Sequence, residues 1–515
     1  MALINIANIG QIGVIKDLSV HELPDNAWTD ALNIRFLDGY AYQAFGYNEA
    51  YASPSVAPQH IVALNIAGEP YWIYTSASKV FAVSSPGGTV THTELTPAAP
   101  LTGVTNEWTS TMLSGVPIIN AGNAVNYPHA WDLNLANDFV ALTNWPANTY
   151  CKSIRAFKNY LIALNITKTT TNYPFMVKWS HKAQPGALPS SWDETDPTKD
   201  AGEADLAEGR DAIVDGLQMR DSFIIYKQDS TWMMSWTGGV NVFAFRKLFD
   251  HGAMGLNCAV EYDGLHLVVT RDDVIVHDGS SPNSVLDKQT RRTFFDDIDA
   301  DGQGKVFVVK NPYMNEIFVC YPSIGSTTCN KALVWNYKDR TVSFRSMPNV
   351  NHAAFGHVAV NNSGSWDSDT DSWDSNLTAW NKGDYIPGKA SVLLASNDSK
   401  LYLLDGTSSA NGTAISAYLE RRGLSFDAPE TIKLIRGVRP RISGNNGETV
   451  LIKVGYADDP YADPTYTSMT HKIGSTIAND CLVSGRYIAI RFETGTASQW
   501  RLDSFQLDIQ QGGRW

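Results

Sequence analysis

The residues best suited by type and spacing to do chemistry are acidic. Asp297, Asp299, Asp301 and Gly302, within DDIDADGQGK (296–305), stand where the first half of a calcium loop wants them. Such a loop completes its coordination with a bidentate Glu at the twelfth position. Counted from Asp297, that position is Val308, so an acidic turn ahead of the strand Val306–Val309 is the expected structure. A second acidic stretch, SWDSDTDSWDSNLTAWN (365–381), repeats Trp366, Trp373 and Trp380 every seven residues. The Asp, Ser, Thr and Asn between them are poor helix formers, so no coiled coil is expected. Three roles stay open for it. The indoles cover the fold or a neighbouring subunit, Asp367, Asp369 and Asp371 hold a cation, or the Trp row binds a glycan.

Nucleophilic and general-base chemistry has less to draw on. No Gly-rich phosphate loop, G-x-S-x-G elbow or H-E-x-x-H pair occurs. The 11 histidines are scattered; His251 and His266 flank a strand and His277 ends one, positions that suit turn or core roles. A glycosidase needs two carboxylates about 5–10 Å apart. With 53 acidic residues some pair meets that by chance, and none is nominated. The five cysteines, Cys151, Cys258, Cys320, Cys329 and Cys481, are odd in number and lack paired metal spacing, which fits a reducing compartment. Cys320 and Cys329 could meet across a hairpin, but free thiols are expected. The expectation is therefore a protein that is not an enzyme, with no catalytic, metal or cofactor-binding residues and no cofactor.

The totals describe a folded chain. At 515 residues it exceeds one ordinary core, and 43% hydrophobic with 18% charged content is not that of a disordered protein. The net charge of −13 opposes binding to DNA phosphates unless a local patch dissents. No basic n-region opens the chain, and no run of about 18 apolar residues offers a membrane span. A protein soluble where it is made is expected.

The elements that would position any site are strands. Ala212–Gly279 alternates aromatic and β-branched runs with Asp-Gly, Gly-Gly and Asp-Ser breaks, the pattern of hairpins. The same apolar strand, Ser/Asp turn, alternating strand and Gly-containing break recurs around Tyr71, Phe223, Leu265 and Val392. Looser copies lie at Pro117–Tyr127, Tyr160–Trp179 and Val306–Tyr321. Several copies are about 45 residues apart, the period of four-stranded propeller blades. Ahead of them, Ala31–Phe36 alternates as a strand ended by Asp38-Gly39. After Gly406 the texture changes, SSANGT (408–413) reads as a linker, and Ile432–Val438, Val450–Tyr456, Tyr487–Phe492 and Trp500–Ile509 read as strands. In the last, Phe505, Leu507 and Ile509 share one face, and a strand this apolar needs a partner sheet.

The expected fold is all-β: an irregular propeller of six to seven blade-like units, with a β-sandwich-like platform formed by the two chain ends. The expected divisions are an N-terminal platform segment (1–50), a propeller with inserted loops at 180–210 and 363–385 (51–407), and a C-terminal platform domain (408–515).

The N-terminal order G-V-x-K-D-L-S…E-L-P…W-x-D-A-x-N-x-R-F-x-D-G…G is carried by Gly13, Asp17, Leu23-Pro24, Trp28, Asn33, Arg35-Phe36, Gly39 and Gly46. In this order the chain resembles the tail nozzle, or tail tube, proteins of short-tailed phages. The polar insertion Trp179–Gly209, the segment DSFIIYKQDSTWMMSW…FRKLFDHGAMG and the closing GRYIAIRFETGTASQWRLDSFQLDIQQGGRW are also similar to that family. The resemblance implies a structural virion protein, assembled in the host bacterial cytoplasm and resident in the virion tail. It implies a homo-hexameric ring below the portal and adaptor that conducts the genome during ejection. Its implied partners are adaptor (head-to-tail connector) proteins, tail fibres, and genomic DNA that passes without specific binding. The alternative is a receptor- or glycan-binding tail component, with a polysaccharide depolymerase behind it.

Overall fold

The computed structural model describes residues 2–66, 68–84, 89–99, 101–105, 107–239, 241–287, 289–359, 388–495 and 499–514. Helix is confined to Arg291–Asp297 and a 3-10 turn at Ala300–Lys305 among them; strands carry the rest of the regular structure.

Five separate four-stranded antiparallel sheets follow one another from His60 to Ser284, and a nine-stranded sheet supplies two further units. The sixth unit holds Phe307–Asn311, Glu316–Tyr321, Cys329–Asn336 and the first part of the 19-residue strand Thr341–Ala359. That long strand leaves its Cys329–Asn336 partner at Val350 and pairs from there with Gly388–Ser396, so its second part opens the seventh unit. Lys400–Leu404 follows, then Tyr47–Glu49, delivered from the other end of the chain, with the two-residue strands Ser409–Ala410 and Thr413–Ala414 beyond it. The repeats recognised in the sequence fall one to each unit. Most are its second and third strands, the most apolar and most tightly turned part of a blade.

Hydrogen bonds between successive inner strands run round an axis. The His60 ring meets Ser110 Oγ (2.8 Å), Thr111 Oγ1 accepts from Ala156 N (2.9 Å), and Ser153 Oγ donates to Asp215 (2.7 Å). Asp215 then accepts from Asn257 N (3.0 Å), and Asn257 O accepts from Val308 N (2.9 Å). Between the last unit and the first, the His352 ring lies tilted against His60 with centroids 4.0 Å apart, and Trp72 Nε1 donates to His357 O (2.9 Å). Gly356 sits in that seam because a Cβ there would lie 2.3 Å from Ala63 Cβ. The fold is a β-propeller closed by pairing the N-terminal strand Tyr47–Glu49 into the last blade.

The two chain ends build the platform as two facing sheets. The first orders Ile34–Leu37, Tyr40–Gln43, Trp500–Arg514, Thr431–Gly444 and Asn479–Gly485, with Ala2–Ile6 also paired to Trp500–Arg514. The second orders Asp30–Leu32, Tyr418–Leu424, Tyr487–Thr494, Thr449–Ala457 and Thr465–Lys472. Alternation buries Ile435, Val438, Phe505, Leu507 and Ile509 from the first against Ile452, Val454, Ile488, Ile490 and Phe492 from the second. Each such side chain contributes about 1.5–3 kcal/mol on full burial.

One expected strand divides in two. Ala31–Phe36 breaks at Asn33, whose φ of 55° turns the chain from the second sheet into the first. Asn tolerates this left-handed region at low cost because its short side chain finds local partners.

Candidate functional site

The residues that carry the N-terminal motif divide between the platform interior, where Trp28 and Leu23 pack, and the joint between platform and propeller, where Asp17, Asn33 and Arg35 bond. Trp28 is buried, edge-on to Phe492, and donates Nε1–H to Ile9 O (2.6 Å). Asn33 donates to Ser346 Oγ (2.9 Å) and Ser416 O (2.8 Å) and accepts from Ser346 N (2.9 Å), so it ties a blade strand to the platform. Asp17 accepts from Arg292 N (2.6 Å) and from Thr293 N (3.0 Å), satisfying free donors of the first helical turn. Gly13 has φ 81°, and Val14 N donates to Val342 O (3.1 Å). A Cβ at Gly46 would fall 2.0 Å from Ser409 O.

Arg35 is the electrostatic centre of this joint. Its side chain leaves the Ile34–Leu37 strand and meets Glu316 through two bonds, Nε–Oε1 at 2.6 Å and Nη2–Oε2 at 2.9 Å. Nη2 also donates to Asp405 Oδ2 (2.8 Å), and Asp405 accepts from Arg345 Nη1 (3.0 Å). Arg345 closes the circuit by donating to Phe45 O. All four charged side chains are less than a tenth exposed. Burial works against the Arg35 charge, but the Glu316 and Asp405 carboxylates more than offset it and hold the guanidinium protonated. Burial likewise works against the Asp405 carboxylate, and Arg345 and Arg35 overcome it and lower its pKa. Two cations and two anions balance, so the cluster is satisfied as it stands and does mechanical work.

A second polar group fills the propeller axis. Arg155 makes a bidentate pair with Asp215 (2.9 and 2.6 Å) and donates to Ser110 O and Asn257 Oδ1, each at 2.9 Å. Beside it, His60, Trp108, Asn257, Phe307 and His352 line a cavity of about 20 Å³. That is room for about one water. Around Arg155 and Asp215 the described residues pack the propeller axis.

His266 and His277 gain roles that isolated positions in the sequence did not suggest. They stand opposite one another in their hairpin, and both rings bond the buried Tyr226 hydroxyl, at 2.7 and 2.9 Å. Burial drives the His266 pKa down to about 4; burial and then His266 drive that of His277 to about 3. Reflection of the hairpin about its Arg271–Asp273 turn is the sequence signal that pairs them.

The remaining candidates separate. Asp297 accepts from Tyr321 Oη (2.9 Å) and Lys331 Nζ (2.9 Å), while Asp299 accepts from Asp301 N and Gly325 N. These carboxylates hold their own turn. Among the described residues no group of three or more His, Cys, Asp or Glu is placed to hold a metal ion. Cys320 and Cys329 are buried free thiols, and burial pushes both pKa values up. The Trp/Asp stretch 365–381 lies outside the described residues. Gly202–Asp205, from the polar insertion, forms the fourth strand of the third blade, and its Trp192 packs edge-on to Trp145 (4.6 Å). An open cleft of about 610 Å³ on the rim of the second blade has His129, Asp132 and Asp138 in its wall, and one of about 400 Å³ beside the third blade has Asp193 and Glu194. No described helix is long and apolar enough to cross a membrane.

No protein-family profile and no curated protein matches this chain. Among solved structures it is similar to the β-propeller domain of Cps50 (Swd1) from Myceliophteria thermophila. The identity is 8% and the TM-score 0.40, over 70% of this chain and 100% of that one. A likeness at this level carries no statement about function.

Proposed function

We propose that this chain is a structural subunit of a phage tail nozzle, a ring-forming protein below the portal and adaptor that conducts DNA during genome ejection. The observation that supports it most is the joint around Arg35. Of the residues by which the chain resembles nozzle proteins, Asp17, Asn33 and Arg35 bolt platform to propeller, and their polar atoms are consumed by architecture. A motif that serves as a joint fits a load-bearing virion part better than a catalyst. In this reading the bore lies between copies of the chain, inside a hexameric ring, because Arg155 and Asp215 occupy part of the propeller axis itself. Residence in the virion tail, docking of the platform on the adaptor, and fibre attachment belong to the same reading.

Truncation after Gly495 tests it. The cut removes Trp500–Arg514, which pairs with Ala2–Ile6, Tyr40–Gln43 and Thr431–Gly444. The truncated chain is expected to lose incorporation into tails while keeping a protease-resistant fragment spanning the propeller. Normal incorporation would contradict the role given to the platform. Glycan binding by the isolated chain, or release of reducing sugar from host polysaccharide, would instead favour a receptor-binding component or a depolymerase.

A further inference from the structure

Among the described residues, Ala2–Ile6 and Asn479–Gly485 are edge strands on opposite sides of the first platform sheet, and they match each other. Leu3 stands opposite Asp508, Asp508 opposite Gly437, and Gly437 opposite Asp480. Four strands are thus level across the sheet, with Ala2–Ile6 at one edge and Asn479–Gly485 at the other. Among the described residues each of these two strands is paired on one side only.

Both edges also expose apolar side chains. Leu3 is 51% exposed, Leu482 76%, and Ile477, just ahead of the second edge, 85%. The edge strand of the other platform sheet, Thr465–Lys472, turns Thr465, Thr467, Ser468, Thr470 and Lys472 to solvent instead. Exposed edges are usually guarded by polar or charged residues, and unguarded ones recruit another strand.

We propose that the ring closes by strand addition: the Asn479–Gly485 edge of one copy pairs with the Ala2–Ile6 edge of the next. This rests on the ring reading above and assigns the surface that makes the ring. Strand direction supports it. The three ladders from Ala2–Ile6 to Asn479–Gly485 are all antiparallel, so these two strands run in opposite directions. Rotation about an axis along the strands preserves direction, so a neighbour's Asn479–Gly485 meets Ala2–Ile6 antiparallel. The side chains agree. Leu3 and Asp480 occupy one cross-strand row and therefore one face, and alternation puts Asn5 and Leu482 on that face too. Setting Leu3 against the neighbour's Leu482 sets Asn5 against its Asp480, an apolar pair beside an amide–carboxylate pair. The contact uses two different surfaces of the chain, which is the kind that closes rings.

The test is a Leu3→Cys/Leu482→Cys double variant of the full chain in a Cys481→Ser background, oxidised and run without reductant. Directly opposed Cβ atoms about 4.5–5.5 Å apart can be bridged with small adjustments of the backbone. A ladder of covalent oligomers ending at the ring's copy number is expected, and neither single variant should give it. Leu482→Asp is the second probe. It should abolish the ring with the melting temperature unchanged, since the side chain is exposed. Rings in the microscope without a ladder, or rings that survive Leu482→Asp, overturn the edge pairing and leave the nozzle reading standing. Absence of rings in the unaltered chain overturns both.

Discussion

Arg35 and Glu316 lie 281 positions apart in sequence, yet their side chains form a buried, two-point ion pair at 2.6 and 2.9 Å. One belongs to the platform and the other to the sixth blade, so the pair fixes the orientation of one body on the other. Paired geometry of this kind is specific to a guanidinium fork, which Lys cannot reproduce.

Removing one member should therefore cost more than the bond is worth. Arg35→Met leaves Glu316 uncompensated in the interior and Asp405 with Arg345 alone. The expected loss is about 3–5 kcal/mol, the usual cost of orphaning a buried charge. Urea titration of the variant checks it, and Arg35→Met/Glu316→Gln should recover part of the loss. Equal stability of the wild type and the single variant would show that the joint is not held this way.

The buried histidines give a signed pH dependence. In the fold, His352 is driven to about 3, His277 to about 3 and His266 to about 4, each chiefly by burial. Unfolded, each titrates near 6.5. Below that value the unfolded chain takes up protons that the folded one refuses, so stability falls as pH falls from about 6.5 towards 4. Each histidine contributes up to about 1.4 kcal/mol per pH unit in that window. The depressed carboxylates Asp405 and Asp215 add to the loss only when the pH drops below about 4. Melting curves from pH 7 to 4 should show the slope, and His352→Gln should flatten it.

Much of this architecture was legible because hairpins announce themselves. The second and third strands of a blade are apolar and close through short Ser/Asp turns, so the copies at Tyr71, Phe223, Leu265 and Val392 stood out. Strands at blade rims did not. Tyr47–Glu49 is three residues long and reaches the last blade from the far end of the chain. Thr465–Lys472 is too polar to show clean alternation, and Asn479–Gly485 puts its Leu482 on the exposed face. The pivot at Asn33 is a single left-handed residue inside an otherwise regular strand pattern. The motif picked out Arg35, but Glu316, Asp405 and Arg345 are set by tertiary packing and carry no local signal. The Tyr226–His266–His277 cluster needed strand register as well as residue type.

Passing DNA should find little to hold it. The chain carries a net charge of −13, and the joint and axis arginines are consumed by Glu316, Asp405 and Asp215. Duplex binding at physiological salt should be no tighter than about 10⁻⁴ M, the weak end of non-specific binding. Fluorescence anisotropy across a salt series checks this, and micromolar affinity with a steep salt slope would contradict a slippery bore.

Negative-stain microscopy of the purified full chain tests the central claim most directly. A nozzle subunit should appear as a hexameric ring with an open axial bore, and the mass of the particle should be a multiple of the 56.5 kDa chain to match. Monomers at micromolar concentration, joined by glycan binding or release of reducing sugar, would contradict it.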